Sequence, residues 1–187
     1  MLDVREIVPE RLRPLRRNEY DRLVEDGLFV DERIELLEGV LVEMTPAGAR
    51  HADVVGRLTM LLVPALVGRA LVRVQSPLAI SDESEPEPDV AVVAVADYQR
   101  EHPRQALLVV EVAEASLRKD LGVKATLYAR AQVTEYWVVD LSTRTVRRHT
   151  APTDDGYTQV TTVGPGELLR PEAFPDLAVP VDDVLPR

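Results

Sequence analysis

The middle of the sequence constrains the fold most, because short apolar runs and amphipathic stretches follow one another there in a fixed order. Three runs have the length and composition of strands and are bounded by polar residues: 70–80, 88–95 and 106–113. Apolar residues at three- and four-residue spacing predict a helix before these runs, over about 51–67, and a second helix after them, over about 117–131. A further strand candidate, EYWVVD, follows at 135–140. The order helix, three strands, helix, strand predicts a mixed α/β fold.

The length of 187 residues predicts a single domain that spans the chain, 1–187. Its predicted core covers about 50–141, and an added helix and hairpin over about 17–45 precede the core. Additional strands follow the core. The proline-rich segment over about 164–187 is predicted to be an irregular tail.

Composition excludes several classes of site and of protein. The sequence has no cysteine, so a bound metal would be held by oxygen or imidazole ligands. A net charge of −10 argues against a protein that merely coats nucleic acid, because such binding requires basic residues that neutralise phosphates. No membrane-length apolar run and no secretory signal are visible, which predicts a cytoplasmic protein. Only two of the 22 basic residues are lysines, Lys119 and Lys124, so each is informative.

Two acidic residues stand at unusual places in the apolar runs. Glu111 lies in the middle of LLVVEVA, where a lone ionised carboxylate costs several kcal/mol unless it is paired or binds a cation. Asp89 stands at the start of the preceding run, so adjacent strands would bring the two carboxylates together. Such a pair either raises one pKa or recruits a metal, and its hard oxygens suit Mg²⁺ or Mn²⁺. The alternative is that Asp89 caps a turn after Pro88 and that Glu111 pairs with an arginine.

The predicted helix that follows Ser116 adds a cation to this pair of acids. Asp120, Lys124 and Tyr128 are four residues apart, which places them on one face of a regular helix. A lysine beside two metal-bound carboxylates would orient a water molecule and stabilise negative charge on a phosphorus centre. The alternative is an ordinary pair between Asp120 and Lys124 within the helix, which contributes only about 0.2 to 0.5 kcal/mol.

Three segments together resemble a known group of enzymes: EPDVAVV, LLVVEVAEAS and RKDLGVKATLYARAQVTEYWVVD. They are similar to the PD-(D/E)xK nuclease superfamily. More closely, they resemble a large bacterial family of restriction-endonuclease-like proteins that was formerly filed as a domain of unknown function. The resemblance implies an αβββαβ core and a nuclease that hydrolyses phosphodiester bonds with the help of a divalent metal.

The same resemblance implies roles for particular residues. Asp89 and Glu111 would bind Mg²⁺ or Mn²⁺ together with the backbone carbonyl of Val112. The superfamily lysine is missing from its usual place, which Ala113 occupies here, and Lys124 on the following helix matches the position that the lysine takes in related branches.

The family pattern also includes three residues that would orient Lys124, namely Ser116, Asp120 and Tyr128. Weaker candidates are His51, which opens the predicted first core helix and would lie near the substrate or serve a surface or capping role, and Glu87, which would support the metal ligands.

Other polar and aromatic residues are predicted to have ordinary roles. Glu35, Glu38 and Glu43 alternate with apolar residues as in a half-exposed hairpin, and Tyr136 and Trp137 are predicted to pack in the core or at an interface.

We therefore expect an endonuclease that requires Mg²⁺ or Mn²⁺, has DNA as its partner and acts as a homodimer. A nuclease-like fold that has lost catalysis and serves as a binding or regulatory module is the alternative, favoured by the acidic surface and the missing strand lysine. A third possibility is an acidic oligomeric protein that binds no metal.

Overall fold

The protein was analysed as a computed structural model that describes residues 13–185; positions 1–12 and 186–187, the ends of the predicted domain and of its tail, lie outside this range. The helices and strands are, in chain order, α1 (Arg17–Glu25), β1 (Ile34–Leu37), β2 (Val40–Glu43), α2 (Ala49–Leu66), β3 (Leu71–Val74), β4 (Val90–Val93), β5 (Leu108–Ala113), α3 (Leu117–Lys119), a π-turn (Asp120–Lys124), α4 (Ala125–Arg130), β6 (Glu135–Asp140), β7 (Thr145–Thr153), β8 (Gly156–Val163), β9 (Leu168–Leu169), β10 (Val179–Pro180) and α5 (Val181–Val184). None of the helices within 13–185 combines the length and the apolar composition needed to cross a bilayer.

The centre of the fold is a six-stranded sheet with the order β3-β4-β5-β6-β7-β8. All neighbouring strands are antiparallel except β5 and β6, which are parallel. A parallel pair needs a crossover connection, and the chain supplies it with α3, the π-turn and α4. The mixed α/β fold predicted from the sequence is therefore confirmed.

Two segments differ from the sequence predictions. The predicted strand over 70–80 ends early, at Val74, because Gln75 adopts a positive φ of 43° that takes the chain out of the sheet. The predicted irregular tail contains the antiparallel pair β9–β10 and the short helix α5. Val181 and Val184 of α5 are fully buried, so this segment completes the core beside α2.

Alternation along β5 decides which helices its side chains meet. Val110 and Val112 join the apolar cluster to which α2 contributes. Val109 and Ala113 join the cluster on the opposite face, to which α4 contributes. Because successive side chains of a strand point to opposite faces, Glu111 lies on the α4 face of the sheet.

The β1–β2 hairpin is tied to the segment that leads into β4. Leu36 and Glu85 exchange backbone hydrogen bonds of 3.3 and 2.8 Å. The side chain of Glu85 is thereby buried, with 4% of the residue exposed; its nearest cation is Arg17 at 3.8 Å, and the ring of His102 lies 3.9 Å away. Burial, reinforced by the charge of Asp21, raises the pKa of Glu85 to about 7.

Replacing Glu85 with glutamine is expected to stabilise the protein in a pH-dependent way. The raised pKa means that folding takes up a proton between about pH 4.5 and 7, so the stability of the wild type falls as the pH rises through this window. Glu85→Gln should therefore raise the free energy of unfolding by about 2 kcal/mol more at pH 8 than at pH 5. Denaturant unfolding at both pH values measures the difference. Asp82→Asn, at an exposed neighbouring position, is the control, and an equal effect of Glu85→Gln at both pH values would contradict the prediction.

Candidate functional site

Asp89 and Glu111 lie side by side at one end of the central strands. Asp89 immediately precedes β4, and the register that pairs Val90 with Val110 sets it next to Glu111 on β5. The Oδ2 atom of Asp89 accepts a hydrogen bond of 2.8 Å from the backbone N–H of Val112. This contact fixes the Asp89 carboxylate across the end of the strand pair, although the two acids are distant in sequence.

The Glu111 carboxylate is buried and has two hydrogen-bond donors. Its Oε1 atom accepts bonds from Lys124 Nζ at 2.8 Å and from the Tyr128 hydroxyl at 2.9 Å. Burial raises the pKa of Glu111 above its ordinary value, with Asp89 and Asp120 adding to the rise, while the charge of Lys124 opposes it. The cation beside Glu111 is thus a lysine, not the arginine of the alternative interpretation. The charged form of Glu111 is still costly, so a further cation beside this carboxylate would be favourable.

Lys124 is enclosed by carboxylates. Only 2% of the residue is exposed, and Nζ lies 2.8 Å from Glu111 Oε1 and 3.0 Å from Glu35 Oε2. Burial disfavours the ammonium form, but Glu111 and Glu35 outweigh it and raise the pKa of Lys124 above its ordinary value. The side chain therefore stays protonated at neutral pH. Among the described residues, Lys124 pairs with these two carboxylates and not with Asp120.

Glu35 of β1 is the site residue that the sequence analysis missed. The prediction of a half-exposed hairpin is right for Glu38 and Glu43, which are exposed, but wrong for Glu35, which is fully buried. Its Oε1 atom contacts Lys119 Nζ at 2.8 Å and its Oε2 atom contacts Lys124 Nζ. Burial opposes the charged form of Glu35, but Lys124 and Lys119 outweigh it and lower its pKa.

A turn of π-helix positions Lys124. The sequence predicts a regular helix over about 117–131, but Asp120–Lys124 form a wider turn in which the N–H of Ala125 bonds to the carbonyl of Asp120, five residues back. The buried hydroxyl of Tyr136, on β6, donates a second bond of 3.0 Å to the same carbonyl. Tyr136 thus packs in the core as predicted and also holds the π-turn.

Ser116 and Asp120 form a pair beside Lys124. The Ser116 hydroxyl donates a hydrogen bond of 2.5 Å to Asp120 Oδ2. Burial raises the pKa of Asp120, while the Ser116 bond and the charges of Lys124 and Lys119 oppose the rise. Asp120 therefore contributes to the field around Lys124, while Tyr128 reaches Glu111 directly.

The two weaker candidates also lie at this site. His51, in the first turn of α2, places Nε2 3.0 Å from Asp89 Oδ2, and this hydrogen bond raises the pKa of His51. Glu87 makes an ion pair with Arg33, and its backbone N–H donates to Glu35 Oε2 at 3.3 Å. His51 thus touches Asp89, whereas the Glu87 side chain is engaged elsewhere.

These residues line a cleft of about 490 Å³. Six carboxylates and three cationic side chains, Arg33, Lys119 and Lys124, are among the lining residues. The excess of negative charge would repel a phosphate group and attract a divalent cation.

The donor atoms at the cleft fit Mg²⁺ or Mn²⁺. The carbonyl of Ala113 points toward β6, where it accepts a hydrogen bond from the N–H of Leu141. Because the backbone groups of successive strand residues point to opposite edges, those of Val112 point toward β4, and its N–H bonds to Asp89 there. The carboxylates of Asp89 and Glu111 and the carbonyl of Val112 are hard oxygen donors. Within 13–185 no group of three His, Cys, Asp or Glu side chains is arranged to hold a metal. Two carboxylates supplemented by water and substrate are typical of magnesium sites.

Comparisons with known proteins agree with this architecture. The model of the Uma2 family, described as "Putative restriction endonuclease", matches residues 17–182. A crystal structure of a "putative nuclease belonging to DUF820" from Anabaena variabilis superposes with a TM-score of 0.70 at 14% sequence identity, covering 91% of this chain and 97% of that chain. At this level of identity the likeness shows a shared fold. No curated protein matches the sequence.

Proposed function

The chain belongs to the Uma2 family of restriction-endonuclease-like proteins, and on this premise we propose that it is a divalent-metal-dependent endonuclease that hydrolyses phosphodiester bonds in DNA. The observation that carries the proposal is the meeting of Asp89, Glu111 and Lys124 at one end of the central strands. Two carboxylates that can share a divalent ion could activate water, and one buried ammonium group could stabilise charge on a phosphate, which are two tasks of phosphodiester hydrolysis.

We infer that Asp89, Glu111 and the Val112 carbonyl hold the ion, Mg²⁺ or Mn²⁺. When bound, the ion would act as a Lewis acid that activates water and offsets charge on the phosphate. His51 and the Val112 N–H orient the Asp89 carboxylate, since both contact its Oδ2 atom. Asp89 therefore presents its other oxygen without having to rearrange.

Lys124 is the group that meets the reacting phosphate in this proposal. Its ammonium is held in the protonated state by carboxylates and is shielded from bulk water, so its charge acts strongly at short range. It would donate a hydrogen bond to the attacking water or to an oxygen of the phosphate as negative charge builds there. Tyr128 supports this arrangement by occupying the same Glu111 oxygen from the side of α4.

The negative cleft makes the metal a condition for substrate binding. A phosphate that approaches six carboxylates and three cationic groups meets net repulsion unless divalent ions are present. Double-stranded DNA has two strands to cut, and each copy of this chain carries one such site. We therefore expect the active form to be a homodimer, which light scattering on the purified protein tests.

Cleavage assays are expected to show a strict requirement for a divalent ion. Supercoiled plasmid, linear duplex, single-stranded DNA and RNA would be incubated with the protein and Mg²⁺, Mn²⁺ or EDTA. We expect DNA cleavage with Mg²⁺ or Mn²⁺ and none with EDTA, because the carboxylates are themselves negative and only a bound cation can offset the charge on the phosphate. Cleavage that persists in EDTA would contradict the proposal, and cleavage of RNA alone would change its substrate.

A further inference from the structure

Both lysines of the chain converge on the carboxylate of Glu35. Lys119 Nζ lies 2.8 Å from Oε1, and Lys124 Nζ lies 3.0 Å from Oε2. The other 20 basic residues are arginines. The two lysine ammonium groups thus share one fully buried counter-ion. This pairing links the N-terminal hairpin to the helix that carries Lys124.

The hairpin holds Glu35 firmly at this place. Its neighbour Leu36 exchanges backbone hydrogen bonds with Glu85, and the N–H of Gly39 donates to the carbonyl of Glu83 at 2.7 Å. The backbone N–H of Glu87 adds a contact of 3.3 Å to Glu35 Oε2 itself. The strand that carries Glu35 is thus held by β2 on one edge and by the 83–87 segment on the other, which limits how far Glu35 can follow a moving lysine.

Lys124 and a metal ion would compete for one carboxylate. The ammonium lies 2.8 Å from Glu111 Oε1, on one of the oxygens that a divalent ion needs. Two cations this close to each other repel strongly in a buried site. An ion that binds Glu111 therefore weakens the hold of this carboxylate on the ammonium, and Lys124 needs a second anchor if it is to remain in the cleft.

We propose that Glu35 is a positioning residue that retains Lys124 at the site when a divalent ion takes over the carboxylate of Glu111. The proposal rests on the proposed function for the role of the ion, but the hold of Glu35 on Lys124 can be measured without cleavage. Without Glu35, Lys124 either stays on Glu111 and weakens ion binding or leaves the cleft when the ion arrives.

The presence of only two lysines allows a direct test by NMR. Protein labelled with ¹⁵N-lysine has two side-chain ammonium groups to observe, and the enclosed Lys124 should give the slowly exchanging signal. In the wild type, Mg²⁺ should shift this signal without erasing it. In Glu35→Gln the signal should move before any ion is added and disappear with Mg²⁺. Glu38→Gln, on the same hairpin, exposed and outside the lining of the cleft, is the matched control and should leave the signal unchanged.

A calorimetric cycle separates an action through Lys124 from direct metal binding by Glu35. Mn²⁺ affinity would be measured for the wild type, Glu35→Gln, Lys124→Met and the double variant. We expect Glu35→Gln to weaken Mn²⁺ binding about tenfold in the wild type and by less than about threefold in the Lys124→Met background. An equal loss in both backgrounds would make Glu35 a metal ligand and overturn the proposal. No loss in either would reduce Glu35 to a structural residue and also overturn it.

The two measurements distinguish failure of this inference from failure of the proposed function. If the wild type binds no ion but Glu35→Gln moves the Lys124 signal, the metal-dependent function fails while the hold of Glu35 on Lys124 stands. If the ion binds and Mg²⁺ erases the Lys124 signal in the wild type, the retention proposal fails and the function stands. The wild-type titration needs no variant, so poor folding of Glu35→Gln does not prevent a decision.

Discussion

Asp89→Asn is expected to reduce metal-dependent DNA cleavage by about 1,000-fold or more, which corresponds to about 4 kcal/mol of transition-state stabilisation. Asparagine keeps the size of the side chain, and its carbonyl oxygen can still accept the N–H of Val112. It removes the negative charge that the proposed ion requires, and the contribution of such an ion is several kcal/mol. The loss should therefore appear in the chemical step and in ion binding rather than in the fold.

Three measurements on Asp89→Asn check this result. Initial rates of plasmid nicking with saturating Mg²⁺ give the activity, Mn²⁺ calorimetry gives the ion affinity, and circular dichroism gives the fold. Asp53→Asn is the control, because this aspartate lies on α2 in an exposed pair with Arg57 and does not line the cleft. Unchanged cleavage by Asp89→Asn would reject Asp89 as a metal ligand.

The second large effect is expected from Lys124→Met. Removal of the ammonium should lower cleavage by about 100-fold or more, since a preorganised donor to developing charge is lost. The same change leaves two buried carboxylates without their shared cation, and breaking a buried pair costs about 3 to 5 kcal/mol. Unlike Asp89→Asn, this variant should therefore be both inactive and less stable.

Divalent ions should restore part of the stability of Lys124→Met, because an ion bound at Glu111 replaces the missing positive charge. Thermal unfolding with and without Mg²⁺ measures this recovery, which should exceed that of the wild type. Lys119→Met removes the other lysine, which is partly exposed, with 31% of its side chain accessible, and should lose less than about tenfold in activity. A Lys124→Met variant that cleaves as fast as Lys119→Met would contradict the assigned role.

The sequence was sufficient to predict the fold and the family, because the apolar runs are clearly bounded by polar residues, the order of elements is simple and three segments carry the family pattern. The placement of Asp89 and Glu111 on neighbouring strands followed from the two runs that carry them, and the structure brings them together. Their roles stay predictions until the variants are measured.

Glu35 was beyond sequence reasoning for a physical reason. The residues of β1 alternate in the manner of a half-exposed strand, but Glu35, Leu36 and Leu37 are all buried because the hairpin packs against the rest of the chain. A glutamate that is satisfied by lysines more than 80 residues away leaves no local signal. The number of lysines was the one available clue, because a chain with only two lysines has few ammonium groups that could balance a buried acid.

Because of the π-turn, the position of Lys124 depends on the number of residues between Ser116 and Tyr128. A turn of this kind contains one residue more than the α-helix it interrupts, so a chain shortened by one position between Ser116 and Tyr128 could run as an uninterrupted helix. Each residue of an α-helix advances by about 100°, so the ammonium would then face away from its carboxylates although Lys124, Glu111 and Glu35 are all still present. Single-residue deletions here should be screened as inactivating changes even where substitutions at the same positions are harmless.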